Sequence, residues 1–298
     1  MNSREKGFLL LSSYLGDSQR HPLTAPQLRE LERCVLRSEK PNRDRDLLPD
    51  DLVALGCNRD IAERVVSLLL DEQLLASYLQ KGSAVGCVPL TRVSERYPLR
   101  MRKCLGLDSP GCIWLKGNMD LLNRPAVALV GSRNLAAPNE QFARQVGRLA
   151  AQNGLVLISG NARGADSAAQ DSCLRAGGCV ISIVADCLYN KRPTERILFI
   201  SEDGFDLPFT NQRALSRNRL IHTMSPNVFV AQCSNGTGGT WDGTCRNLRG
   251  KWSNIYCIAD GAAATAKLYK MGVYLINADK LHELFGNICD KFSQNNNQ

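Results

Sequence analysis

Ala126-Val127-Ala128-Leu129-Val130, followed at once by Gly131-Ser132-Arg133, is the stretch on which the fold turns. An uninterrupted apolar run of strand length, ended by a glycine and a polar turn, reads as a strand covered on both faces. Beyond the turn, Phe142, Val146, Leu149 and Ala150 recur at helical spacing before Asn153-Gly154 directs the chain into another apolar run. Similar runs occupy Leu155 to Ser159, Cys179 to Val184, Asn227 to Ala231 and Asn254 to Ile258, most of them leading through a turn into a helical segment. Such alternation specifies an α/β architecture, a doubly wound and mostly parallel sheet over residues 125–290.

Outward from this unit the pattern changes. Between Phe8 and about Gly82, Leu28, Leu31 and Leu36, then Ile61, Val65, Val66, Leu68, Leu69, Leu74 and Leu75, follow helical spacing, which predicts a small helical N-terminal domain over 1–82. Pro41 to Asp46 is a polar, charge-mixed break within it. Residues 83–124, with Gly86, Pro89, Pro98, Pro110, Gly111 and Gly117 among short apolar pieces, read as a connector and the start of the sheet domain. The C-terminal end from Gly286 is expected to fray, leaving 291–298 as a disordered tail.

At 298 residues, 44% hydrophobic and 22% charged, the composition is that of a folded globular protein and excludes disorder as the main state. No apolar window of membrane-spanning length occurs and the early run Gly7 to Leu11 is too short for a signal peptide, so a cytoplasmic protein without membrane contact is expected. The 12 cysteines sit mostly in apolar stretches with no C-x-x-C pair, as expected of reduced, buried thiols. A net charge of +8 favours a polyanionic partner.

In open α/β sheets ligands bind beyond the carboxyl ends of the strands. Four segments follow or flank strand ends here. Gly131-Ser132-Arg133 combines close backbone approach, a hydroxyl and a bidentate guanidinium. Ser159-Gly160-Asn161-Ala162-Arg163-Gly164-Ala165-Asp166 brackets one arginine with glycines, Asp166 being a candidate helix N-cap. Arg217-Asn218-Arg219, with Arg213 ahead of it, gathers three guanidinium groups before the strand at 227. Ser234 to Trp241, carrying Gly238, Gly239 and Thr240, has the flexibility and hydroxyls of a phosphate cradle. Converged, these loops form a basic groove able to hold several phosphates, with Gly131, Ser132, Gly160, Gly164, Gly238, Gly239 and Thr240 as backbone or hydroxyl ligands, Arg133, Arg163, Arg217 and Arg219 as charge partners and Asn218 as a candidate base or sugar contact. Arg163 and Arg217 alternatively brace neighbouring loops through Asp166 or Glu202. No P-loop, no dinucleotide fingerprint and no clustered His, Cys or acidic ligands occur, so no metal, cofactor or Ser-His-Asp chemistry is expected.

The order of Tyr97-Pro98, Leu115-Lys116-Gly117-Asn118, Val130-Gly131-Ser132-Arg133, Ser159 to Asp166, Ser201-Glu202 and Arg217-Asn218-Arg219-Leu220-Ile221 resembles the DprA/Smf DNA-processing family from about Val88 to Leu281. The resemblance implies an extended Rossmann-like domain that binds single-stranded DNA without being an enzyme, protects it, and assists loading of a RecA-type recombinase in recombination and natural transformation. It also implies a homodimer, a DNA-contacting role for Arg133 and a similar one for Lys191. The chain departs from the family pattern at Gln170, Asn190 and the Cys233 to Asp242 loop, and a divergent branch without the C-terminal winged helix of many members is expected.

Two other readings compete. LOG-type phosphoribohydrolases are similar in sheet type and have a glycine-rich loop with a glutamate, but Gly243 stands where that carboxylate would be and Asp242 is one residue away. A regulatory protein sensing a small nucleotide through the same loops is the third. The groove reading requires the loops to meet in space with their cations facing a ligand; scattered or internally paired side chains would remove its basis.

Overall fold

A computed structural model describes residues 1–36 and 46–295. In chain order these form α1 (Ser3–Ser12), α2 (Ala25–Leu36), α3 (Pro49–Ala54), α4 (Arg59–Leu69), α5 (Glu72–Ala84), β1 (Val88–Thr91), α6 (Leu99–Leu105), β2 (Cys112–Gly117), β3 (Ala126–Val130), α7 (Ala137–Gln152), β4 (Val156–Ser159), α8 (Ala165–Arg175), β5 (Cys179–Val184), β6 (Ile197–Glu202), α9 (Asn211–Met224), β7 (Asn227–Val230), α10 (Gly238–Gly250), β8 (Asn254–Ile258), α11 (Ala263–Lys270), β9 (Tyr274–Ile276) and α12 (Leu281–Asn295).

The strands make one sheet in the order β1-β2-β6-β5-β4-β3-β7-β8-β9. From β6 to β9 every pairing is parallel, with Val127 opposite Leu157 and Leu129 opposite Phe229. β1 and β2 add to one edge by antiparallel pairing. The doubly wound sheet is therefore as the apolar runs predict, and the expected connector at 83–124 contributes the two strands at one edge.

Alternation along each strand divides the core between two faces. Ala128, Val130, Ile158, Ile181 and Val228 face Met101, Leu220, Ile221, Trp241 and Leu268, from α6, α9, α10 and α11. Val127, Leu129, Leu157 and Phe229 face Phe142, Val146, Ala169, Phe285 and Ile288, from α7, α8 and α12. Phe285 and Ile288 are buried, so α12 is held by apolar packing and continues to Asn295. This corrects the expected fraying from Gly286 and shortens the expected tail; the last three residues lie outside the described ones.

The helical module packs on one face of β2 and β6, where Leu9, Leu75 and Tyr78 meet Trp114 and Phe199. Tyr78 of α5 meets Trp114 and Phe205 at ring separations of 5.2 and 4.9 Å, each ring buried. Burial of a large apolar side chain contributes about 1.5–3 kcal/mol, so this triad is a firm joint. Gly82 makes it possible, because a methyl group there would lie 2.5 Å from the Trp114 ring. Leu31, Leu52, Ile61 and Val65 form a separate core among α2 to α4. Buried Arg20 donates to the Leu10 and Leu68 carbonyls, closing the ends of α1 and α4, and pairs with Asp71 at 2.8 Å. The expected break at 41–46 falls almost wholly outside the described residues.

Candidate nucleic-acid interface

The chain leaves β3 for α7 on one face of the sheet, and leaves the adjacent β7 for α10 on the other. Two neighbouring loops that diverge to opposite faces leave a crevice between them, the usual ligand position in an open α/β sheet. Two adjoining cavities occupy it. One, of about 410 Å³, is lined by Gly131, Ser132, Arg133, Asn218, Gly239 and Thr240, among others. The second, of about 350 Å³, is lined by Gly160, Asn161, Arg163, Asp186 and Phe209, and Arg133 and Arg217 border both.

Its glycines serve chiefly to bring the walls together. A methyl group at Gly160 would occupy the position of the Arg217 guanidinium. Gly164, at φ +93°, leaves no room for a side chain beneath the Ser132 and Arg133 carbonyls, the latter 2.6 Å from where its Cβ would be. The Ala165 amide donates to the Ser132 carbonyl at 3.1 Å, so the first turn of α8 is fastened to the Gly-Ser-Arg turn. Asp166, at the same helix end, accepts from the Ala162 amide at 3.2 Å. The α8 terminus is thus closed by the protein itself. Gly238 differs: it has φ +86° with open space around it, and α10 begins there without any side-chain cap. Open first-turn amides at a helix N-terminus favour an anion.

The cations divide into two groups. Arg133 is exposed, makes no ion pair among the described residues, and its guanidinium lies 5.9 Å from the centre of the Phe209 ring. Exposed Arg163 donates to the Asn134 side-chain oxygen at 2.9 Å and has no carboxylate partner among the described residues. The remaining three, Arg217, Arg219 and Lys191, are paired with carboxylates. Arg217 is buried and faces Asp166 at 3.6 Å, as the bracing alternative anticipates. Burial raises the Asp166 carboxyl above its ordinary value against the lowering influence of Arg217, and burial likewise lowers Arg217. Arg219 pairs with Glu202 and donates to the Asp108 carbonyl in a separate cavity that shares no residue with the groove. Lys191 is tied to Asp186 at 2.7 Å, which offsets its charge. Arg213, the upstream guanidinium, spends its donors on Ala185, Ser201 and Glu202.

Of the other expected residues, Gly131, Ser132, Gly160, Asn218, Gly238, Gly239 and Thr240 line the crevice, and Asn218 ties α9 to α10 through the Gly239 carbonyl at 3.0 Å. Ser159 and Gly164 do not. Ser159 ends β4 fully buried, and Gly164 lies under the Gly-Ser-Arg turn. Phe209, Asp186 and Leu215 also line the crevice, with little in the sequence to mark that role. Only the position of Phe209, after Pro208 between a strand and a helix, hints at it.

The hydrolase reading loses its carboxylate. Asp242 pairs with Arg246 on α10 at 2.8 Å and lines neither cavity, while Gly243 gives room to the buried His222 ring, whose Nε2 would lie 3.1 Å from a Cβ there. Among the described residues no group of side chains could hold a metal, and no helix is long and apolar enough to cross a membrane.

Comparison with known proteins gives a consistent result. The DNA processing protein DprA of Streptococcus pneumoniae is 29% identical over 230 residues, covering 73% of this chain and 77% of that protein. The solved structure of that protein superposes with a TM-score of 0.71 at 23% identity, over 94% of this chain and 98% of the other, and shows the same fold. DNA processing protein A of Helicobacter pylori, solved for its single-stranded DNA binding mode, matches at a TM-score of 0.56 and 20% identity over 70% of this chain and 96% of that one. The family model for DNA recombination-mediator protein A matches residues 89–245, which span β1 to α10 and hold every wall of the crevice, so this chain belongs to that DNA-processing family.

Proposed function

We propose that this protein binds single-stranded DNA as a non-enzymatic DNA-processing protein, tracking phosphates along the crevice. One observation carries the reading: Arg133, without an ion pair among the described residues, stands between two adjoining cavities that also hold Arg163 and the uncapped start of α10. Charged groups that the fold leaves unneutralised in a cleft are available to an anionic backbone. The pneumococcal and Helicobacter relatives support the assignment. In this reading the protein protects single strands and assists loading of a RecA-type recombinase during recombination or natural transformation, acting as a homodimer in the cytoplasm. In the same reading residues 1–82 are the helical domain, 83–124 the connector and start of the sheet domain, and 125–290 the DNA-binding domain.

Filter binding of single-stranded DNA, duplex DNA and RNA at several salt concentrations tests this. Affinity for the single strand should exceed that for duplex and fall with salt, with a log-log slope of roughly −0.7 per phosphate neutralised. Arg133→Ala should weaken binding to all single-stranded sequences alike and make that slope shallower by about 0.7. Unchanged affinity and slope in Arg133→Ala would place the interface elsewhere.

A further inference from the structure

Resting on the reading just given, we propose that Phe209 is a base-stacking wall of the crevice, held in place by the helical module. The seven other phenylalanines are buried or half-buried, whereas Phe209 is 50% exposed. It lines the second cavity, opposite Gly160 to Arg163, with Arg133 above its ring. An exposed aromatic face beside unpaired guanidinium groups suits a single strand, whose phosphates take the charge and whose unpaired bases stack. A duplex, with its bases already stacked, cannot use such a wall.

Phe209 ends a segment whose other end is fixed in the module. Within Asp203 to Thr210, Phe205 is buried against Tyr78 and Trp114, at 4.9 and 4.7 Å between ring centres. The Phe205 carbonyl accepts from the Leu188 amide at 2.7 Å, and Asp206 accepts from the Tyr78 hydroxyl at 2.6 Å. Gly204 permits this approach, since a methyl group there would meet Leu207 at 2.8 Å and the Tyr78 hydroxyl at 3.0 Å. The residues from 207 to 210 then lead directly to the first turn of α9, where Thr210 accepts from the Arg213 amide. Phe209 is therefore pinned from both sides while its ring remains open to the cavity.

Fluorescence anisotropy with a labelled twenty-nucleotide oligo-dT and an abasic strand of equal length tests the inference. The wild-type protein should prefer oligo-dT. Phe209→Ala should lose roughly 5- to 150-fold in oligo-dT affinity, with abasic binding and the salt slope unchanged. Phe209→Trp should restore oligo-dT binding, and its fluorescence should be quenched by oligo-dT alone. Equal loss on both strands, or no loss on either, overturns the stacking role while leaving the phosphate groove intact. Absence of binding to both strands by the wild-type protein overturns the groove and the stacking wall together.

Discussion

Arg217→Met separates a structural arginine from a DNA-contacting one. The side chains of Arg217 and Asp166 are each 7% exposed, and the substitution leaves the Asp166 carboxylate buried with the Ala162 amide and the Ser159 hydroxyl as donors. Removing one partner of a buried ion pair costs about 3–5 kcal/mol. For a protein of this size that corresponds to a fall in Tm of roughly 6–20 °C. The loss should also depend on pH. Without Arg217 the Asp166 carboxyl rises further above the ordinary aspartate value near 3.9. The folded state then holds a proton that the unfolded state releases between those two values. Stability conferred by that proton is present at low pH and lost as pH rises, so the deficit of Arg217→Met should be larger at pH 8 than at pH 5. Urea unfolding followed by tryptophan fluorescence measures it, and the double variant with Asp166→Asn should recover part of the loss. Wild-type stability in Arg217→Met, together with abolished DNA binding, would show that Arg217 meets the phosphates directly and refute the division of the cations.

Three further outcomes are expected. Gly164→Ala should cost at least about 2 kcal/mol, from the left-handed backbone at φ +93° and the methyl pressed on the Arg133 carbonyl, and should weaken DNA binding by displacing that turn; urea unfolding and filter binding read the two effects. Tyr78→Phe should lose about 1.5–3 kcal/mol in the same unfolding assay and lower affinity for oligo-dT but not for the abasic strand, since Asp206 no longer anchors the Phe209 segment. Burial lowers the His222 ring to about 3, so the folded state binds fewer protons than the unfolded state between there and about 6.5. Stability should therefore fall as pH drops through that window, by about 1.4 kcal/mol per unit, and His222→Gln should flatten the slope in unfolding measured from pH 7 to 4.

Which features were legible in the sequence follows from the range of the forces involved. The strand at 126, covered on both faces, is apolar and buried at every position and so could be read to the residue, and those at 179 and 254 are mostly apolar runs bounded by turn residues. The short edge strand Tyr274–Ile276 has no such cover and left no pattern. At the site, the loops carrying Gly131, Gly160 and Gly239 do meet, as the rule for strand ends predicts. Their glycines, read as phosphate ligands, mostly answer to steric demands from Arg217 and the Gly-Ser-Arg carbonyls, which only tertiary packing reveals. Charge is the least local property of all. Arg217, Arg219 and Lys191 look alike in sequence, and only their carboxylate partners in space distinguish them from Arg133.

Hydrogen–deuterium exchange on adding single-stranded oligo-dT tests the central claim most directly. Exchange should slow at residues 131–134, 160–163 and 234–241, whose segments line the crevice. Protection confined to the separate cavity of Asp108, Arg219, Arg246 and Arg249, with those segments unaffected, would contradict it.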